Sequence, residues 1–368
     1  MCGKESGMTE YSPQQKLAML KIKTWLSDKN RKQVFKMFGY AGTGKTFLIS
    51  KILEIVDNVI FATYTGKAAH VLRTKGVPAS TIHSLIYKLV DDEKGKLTWE
   101  INPDSKIRYC KLIIIDEVSM VNEEMARDLM SFKKPILVVG DPGQLPPVSG
   151  TGFFIQGEPN VMLTEIHRQA KDSPIIQLAT AVRMGLDLDF GNYDTSRVIR
   201  RKDLKAEDIL NADQILVGKN DTRISFNHRI RELLKFEDPN PVYGDKLICL
   251  RNNKELGILN GSMWYVNENK QTPRISNLII RDEFEEYNTR KVSIPIEFWT
   301  GNEAKLEYDF KRRHQEFTYG YAITAHKSQG SQWNNVLIFD ESFVFRDDAK
   351  KWLYTATTRA SDKVTIVI

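Results

Sequence analysis

The sequence predicts an α/β protein built on parallel sheets, and three observations predict it. Short apolar runs alternate with amphipathic stretches, the pattern of β-α units wound around a parallel sheet. Most of those runs are bounded by turn residues and do not alternate with polar ones, as expected of strands buried on both faces. One run is followed by a Gly-rich loop that opens a helical stretch, the order strand, loop, helix.

In chain order the predicted strands are Gln33–Phe38, Val59–Thr63, Lys111–Ile115, Ile136–Val139, Asp213–Val217, Val336–Phe339 and Lys363–Ile368. Helical stretches such as Phe47–Val56 and Asp221–Leu234 lie between them. Two segments break the rhythm. Tyr87–Ile101 passes through a charged turn, Asp91-Asp92-Glu93-Lys94-Gly95, and then alternates polar and apolar residues through Trp99, which predicts a β-hairpin. Val242–Glu307 has many short β-like runs, an Asn260-Gly261 turn signal and no long helical period, so it reads as a β-rich insert.

With 368 residues, at ~100–200 per domain, the chain has room for two or three domains. A composition of 41% hydrophobic and 27% charged residues excludes a disordered or fibrous chain. No apolar run approaches the ~18 residues that span a bilayer, and Met1–Glu10 lacks the apolar core of a signal peptide, so no membrane partner is expected. Cys2, Cys110 and Cys249 are too dispersed for a disulfide framework or a Cys-rich zinc site, which points to a reducing interior and a cytoplasmic location. The 53 Lys and Arg exceed the 47 Asp and Glu by six, a surplus that permits a polyanionic partner without requiring one.

The strongest motif is Gly39-Tyr40-Ala41-Gly42-Thr43-Gly44-Lys45-Thr46, a full G-x-x-x-x-G-K-[ST] between an apolar run and a helical stretch. Glycines let backbone N–H groups wrap a phosphate chain at a helix N-terminus. Lys45 is the cation for the β- and γ-phosphates, and the Thr46 hydroxyl is a Mg²⁺ ligand. Leu112-Ile113-Ile114-Ile115-Asp116-Glu117 describes a buried strand delivering two acids to a sheet edge, Asp116 for Mg²⁺ and Glu117 to polarise the attacking water. Alone it would be an ordinary strand terminus; after a P-loop it reads as catalytic. A third strand, Ile136-Leu137-Val138-Val139, runs into Gly140-Asp141-Pro142-Gly143-Gln144-Leu145-Pro146-Pro147-Val148, where Gln144 could sense the γ-phosphate; a plain Pro/Gly surface loop is the bland alternative.

The ordered set of motifs resembles the superfamily 1 helicases, in the 1B branch that contains RecD and the phage helicase Dda, over nearly the whole chain. Tyr11-Ser12-Pro13-Gln14-Gln15 resembles the Q-motif, with Gln15 at the adenine-contacting position. Ala62–Ala69 resembles motif Ia and Ser80–Ser84 motif Ib; Asp116-Glu117 looks like motif II and Gly140–Pro146 motif III. Leu163–Gln169 resembles motif IV, with Arg168 as an arginine finger. Tyr321–Gly330 closely matches motif V, and Leu353–Ala360 matches motif VI, with Arg359 as the second finger. Tyr11 stands where Leu is usual, and Val118 where Ala is commoner.

The resemblance implies two RecA-like P-loop lobes, one over residues 1–171 with a hairpin insert near 84–108, the other over 172–242 and 308–368. Residues 243–307 would form an SH3-like β-barrel insert. It implies an ATP- and Mg²⁺-dependent translocase moving 5′ to 3′ on single-stranded DNA and unwinding duplex, in a bacterial cell or a phage-infected host. Nucleotide contacts would come from Gln15, Gly42, Thr43, Gly44, Lys45, Thr46 and Gly330. Contacts to the strand would come from Thr63, Thr65, Lys67, Thr81, His83, Thr324, His326 and Lys327, whose hydroxyls and cations suit a phosphate backbone. Trp99 is the candidate wedge at a strand junction, or else an aromatic that anchors the hairpin. A monomer acting on single strands and forks, with single-strand-binding or replication proteins as partners, completes the expectation. Two other readings stay open: an RNA-directed helicase, and a nucleic-acid-stimulated ATPase that does not separate strands.

Overall fold

The computed structural model describes residues 11–74, 76–91, 97–146, 152–253, 255–283 and 287–368. The chain divides into two compact units, Met1–Tyr64 with Lys75–Ile176, and Thr65–Thr74 with Gln177–Ile368. A mixed α/β organisation is present in both.

The first unit holds strands β1 (Val34–Gly39), β2 (Val59–Thr63), β3 (Ala79–Thr81), β4 (Tyr87–Asp91), β5 (Leu97–Ile101), β6 (Leu112–Asp116), β7 (Ile136–Gly140) and β8 (Val161–Leu163). Six of them form one parallel sheet in the order β3-β2-β6-β7-β1-β8. Leu112 through Ile115 and Ile136 through Val139 are fully buried, as their unbroken apolar sequence requires of central parallel strands. Helix α1 (Pro13–Ser27) starts with Pro13 at its first turn and a reciprocal cap between Ser12 and Gln15. Helix α2 (Lys45–Ile55) follows β1 and buries Leu48, Ile49 and Ile52. Strands β4 and β5 pair antiparallel by themselves, Tyr87 opposite Ile101 and Asp91 opposite Leu97. The charged turn expected at Asp92–Gly95 lies outside the described residues.

The second unit contains helix α3 (Gly66–Thr74) and strands β9 (Gly191–Tyr193), β10 (Ser196–Ile199), β11 (Gln214–Val217), β12 (Lys246–Cys249), β13 (Met263–Gln271), β14 (Ile275–Asp282), β15 (Thr289–Pro295), β16 (Phe317–Tyr319), β17 (Ala322–Thr324), β18 (Trp333–Phe339) and β19 (Ala360–Val367). Its main sheet runs β17-β11-β18-β19-β10-β9, parallel except for β9.

A separate antiparallel sheet, β15-β14-β13-β12-β16, closes over Trp264, Trp299 and Tyr319. The expected barrel is not closed. Among the described residues β16 pairs with β12 and β15 with β14, and no ladder joins β15 to β16. In place of a closing ladder, Gln315 bridges the gap: its N–H donates to the Ser293 carbonyl at 3.0 Å, and its side-chain oxygen accepts the Ser293 N–H at 2.8 Å.

The root of this insert is pinned by a buried ion pair. Arg231 Nε lies 3.0 Å from Asp245 Oδ1, with the side chains 4% and 0% exposed. The guanidinium also donates to the Asp238 and Asn240 carbonyls, and the Tyr321 hydroxyl donates to Asp245. Removing one member of such a pair leaves an uncompensated buried charge, which costs ~3–5 kcal/mol. Asp245→Ala is therefore expected to lower the urea midpoint by that equivalent; a loss under 1 kcal/mol would mean water reaches the site.

Candidate nucleotide site and nucleic-acid interface

In a parallel sheet every loop after a strand's carboxyl end emerges on one edge, where ligand sites of α/β folds are built. The first unit places the P-loop after β1, Asp116 and Glu117 after β6, Asp141 after β7 and His167 after β8 on that edge. Thr63 and Thr81, at the ends of β2 and β3, share it.

The P-loop needs glycine where its backbone turns left-handed: Gly42 has φ +78° and Gly44 φ +81°, the latter capping α2. Lys45 Nζ donates to the Gly39 carbonyl at 2.7 Å and the Tyr40 carbonyl at 3.0 Å, and stands 4.0 Å from the buried Asp141 carboxylate. Asp141 accepts the Gly143 N–H at 2.9 Å, and the Gln144 N–H donates to the Asp141 carbonyl, so a tight turn carries both residues. Gln144 itself is 8% exposed. Asp116 accepts the Glu117 N–H at 2.9 Å. Glu117 sits at φ +54°, a left-handed conformation uncommon for a residue with a side chain and characteristic of functional turns. Thr43 is buried, its hydroxyl donating to the Tyr40 carbonyl, whereas Thr46 on the first turn of α2 is exposed.

Gln15 is 1% exposed and its amide is committed to protein. Its nitrogen donates to the Thr43 carbonyl at 3.2 Å, and its oxygen accepts the Ser12 N–H and lies 3.3 Å from His167 Nε2. It braces the P-loop from behind. The His167 backbone N–H donates to the Gly42 carbonyl at 3.0 Å. Gln14 holds the same segment by accepting the Thr164 and Glu165 N–H groups. Asp141, Gln14 and His167 are the site residues that sequence reasoning did not single out. Only Asp141 had a usable signal, an acid directly following an apolar strand. The backbone of Arg168 opens the short helix Arg168–Lys171; its side chain lies outside the described residues.

The second unit gathers other motif residues. Arg359 is 4% exposed, with Nε donating to the Thr355 carbonyl, Nη1 to the Ser331 carbonyl at 3.3 Å and Nη2 to the Thr358 hydroxyl. Gly330, with φ +74°, packs so closely on Thr65 that a Cβ there would meet its hydroxyl oxygen at 2.6 Å. Thr65 caps α3 by accepting the Ala68 N–H. Lys67 does not face solvent: it is 6% exposed, 3.3 Å from Glu283 and 4.3 Å above the Trp333 ring. Glu283 also lies 3.8 Å from Lys246, whose burial pushes its ammonium down to about 8. Burial likewise lowers Lys67. Thr324 ends β17; His326 packs on Phe345, burial lowering its pKa, and Lys327 reaches Asn260 at 3.3 Å.

In the first unit, Thr81 caps the helix Ile82–Ile86 by accepting the Ser84 N–H. The His83 ring lies between Tyr87 at 4.8 Å and Trp99 at 4.3 Å, edge-on to the latter. Trp99 is 41% exposed, so it is outside the core.

A Gly-rich loop opening a helix, with a lysine, a strand-end acid pair and a third strand-end acid on one sheet edge, defines a P-loop nucleotide-binding domain. A family model described as an AAA domain matches residues 10–203, and one described as a UvrD-like helicase C-terminal domain matches residues 319–367. Matched over more than half its length, the chain belongs to the AAA-domain family, and its relatives place it among the superfamily 1B helicases of the RecD, Pif1 and Dda type.

The ATP-dependent RecD2 DNA helicase of Deinococcus radiodurans is 26% identical over 363 residues, covering 88% of this chain and 45% of the relative. The ATP-dependent DNA helicase Dda of Enterobacteria phage T4 is 32% identical over 187 residues, covering 45% of this chain and 40% of the relative. The chain spans less than half the length of both. Among solved structures, that of Bacteroides Pif1 bound to ssDNA aligns with a TM-score of 0.56 at 18% identity, covering 96% of this chain and 91% of that one, a likeness of fold. Among the described residues no helix is long and apolar enough to cross a membrane, and no three His, Cys, Asp or Glu cluster as metal ligands.

Proposed function

We propose that this protein is an ATP-dependent DNA helicase that moves 5′ to 3′ on single-stranded DNA and unwinds duplex. The observation that carries the reading is the convergence of Lys45, Asp116, Glu117 and Asp141 on one edge of one parallel sheet, beside a loop braced by Gln15 and His167. Lys45 exchanges the Gly39 and Tyr40 carbonyls for β- and γ-phosphate oxygens. Glu117 orients the attacking water, and Gln144 reports the γ-phosphate to its own turn. Thr46 and Asp116 are the hard oxygen donors suited to Mg²⁺, which would neutralise charge on the phosphates when bound. Arg359 and Arg168 act as fingers on the transferring phosphoryl group. Gln15 serves by holding the loop that meets the nucleotide, and Gly330 by its close packing on Thr65.

The two RecA-like lobes of this reading are residues 1–171, and 172–242 with 308–368. Thr63, Thr81, His83, Thr324, His326 and Lys327 line the strand. Thr65 and Lys67 act from beneath it, because the Lys67 ammonium is paired with Glu283 and turned from solvent. The similar RecD2 and Dda proteins are DNA helicases, and the Bacteroides Pif1 of like fold is bound to ssDNA, which supports DNA as the track. Paired substrates with a 5′ or a 3′ overhang test the proposal: only the 5′-tailed one should be unwound, and unwinding of the 3′-tailed one alone would reverse the assigned polarity. Stimulation of ATP turnover by DNA but not by RNA separates it from the RNA-directed reading.

Trp99, half-exposed and edge-on to His83, is the wedge in this scheme. Trp99→Ala should leave single-strand-stimulated ATP turnover unchanged and slow unwinding several-fold to tenfold. Base–aromatic stacking is worth ~1–3 kcal/mol, comparable with a mean of ~1.4 kcal/mol per base-pair step. If ATP turnover and unwinding fall together, Trp99 is a folding residue.

A further inference from the structure

The amino-terminal edge of the first sheet, opposite the motif edge, carries a second concave surface. A groove of about 510 Å³ opens there, lined by Ile101, Arg108, Tyr109, Phe132 and Lys134 among others. Tyr109 is 77% exposed and Ile101 41%, so both present side-chain surface to the groove. Five cations, Lys106, Arg108, Lys111, Lys133 and Lys134, occupy the two segments that rim it. Asp104 is the carboxylate on those segments, and Asp57, from the turn before β2, lies 3.6 Å from Lys111. The groove is continuous with the candidate wedge: Ile101 and Trp99 are two residues apart on β5, hence on one face of that strand. Trp99 in turn leans on His83 of the proposed single-strand track.

We propose that this groove binds the phosphate backbone of the duplex arm of forked DNA. The inference rests on the helicase reading and on Trp99 as its wedge. Nucleic acid past a wedge is paired, and its backbone requires closely spaced cations with no need for base-reading groups. Arg108 and Lys134 supply the cations, while Tyr109 and Ile101 offer flat apolar surface to the sugars. An acidic protein would also meet cations, but continuity with the strand that carries Trp99 favours the nucleic acid.

The test compares binding of a 5′-tailed fork with binding of the isolated tail, across a salt series, for wild type and the double variant Arg108→Glu/Lys134→Glu. Both side chains are on the surface, so the fold should survive. Loss of two phosphate contacts flattens the log–log salt slope for the fork by about 1.8, at ~0.9 per phosphate. Fork affinity should fall about tenfold or more at low salt, while tail affinity and tail-stimulated ATP turnover stay within twofold. Unchanged fork affinity, or an equal loss for fork and tail, overturns the proposal. So does an equal effect from Lys106→Glu, which lies outside the groove lining and would reveal only diffuse charge. A wild-type protein that binds neither DNA would refute the helicase reading, a separate outcome.

Discussion

Lys45→Ala is expected to reduce ATP turnover to background, with or without single-stranded DNA. The side chain emerges from the first residue of α2, where the helix N-terminus and the loop N–H groups already favour an anion. Its ammonium touches the Gly39 and Tyr40 carbonyls and lies 4.0 Å from Asp141. Truncation therefore removes the Lys45 ammonium from the loop and from beside the Asp141 carboxylate. Both effects raise the barrier to phosphoryl transfer and weaken triphosphate binding. The side chain is not part of the core, so the unfolding midpoint should be close to wild type. Steady-state hydrolysis and binding of a fluorescent ATP analogue measure the outcome. Near-normal turnover would place the catalytic phosphate site elsewhere.

The second large effect is that of Arg359→Ala, expected to lower kcat by ~10³–10⁵, the contribution of an arginine finger to phosphoryl transfer. Single-strand affinity should change only a few-fold. The guanidinium also satisfies the Thr355 and Ser331 carbonyls, so part of the cost is structural, and a denaturation curve separates the two. Arg359→Lys sharpens the test by keeping the charge and losing the planar fork. Its hydrolysis should remain far below wild type while its stability recovers. A loss of strand affinity comparable with the loss of kcat would instead make Arg359 a phosphate contact of the track.

Much of the first unit's site could be read from local sequence because its signals are local. A central parallel strand is buried on both faces and so reads as an apolar run, so β6 and β7 announce themselves, and the acids at or just past their ends, Asp116 and Asp141, fall on the ligand edge by topology. The same logic places the P-loop, where the glycine spacing is dictated by backbone conformation alone. The β13–β15 meander was legible from its short alternating runs, but its openness was not. Whether a sheet closes depends on whether its two end strands, β15 and β16, are brought edge to edge, which no local pattern encodes.

By itself, then, the sequence determined the strand order of motifs, the phosphate loop and the acids that face it, because each depends on residues a few positions apart. The tertiary structure alone decided what depends on partners far along the chain. Gln15 carries a motif resemblance that suggests a base contact, yet its amide is used by Thr43 and Ser12, the first of them 28 residues away. Lys67 has the composition of a phosphate contact, yet it pairs with Glu283, 216 residues on, and lies under Trp333. Helix α3 continues directly from β2 in the chain and nevertheless packs within the second unit. The physical reason is common to all three. A buried polar group must find a partner wherever the fold brings one within reach, and periodicity along the chain carries no information about that meeting.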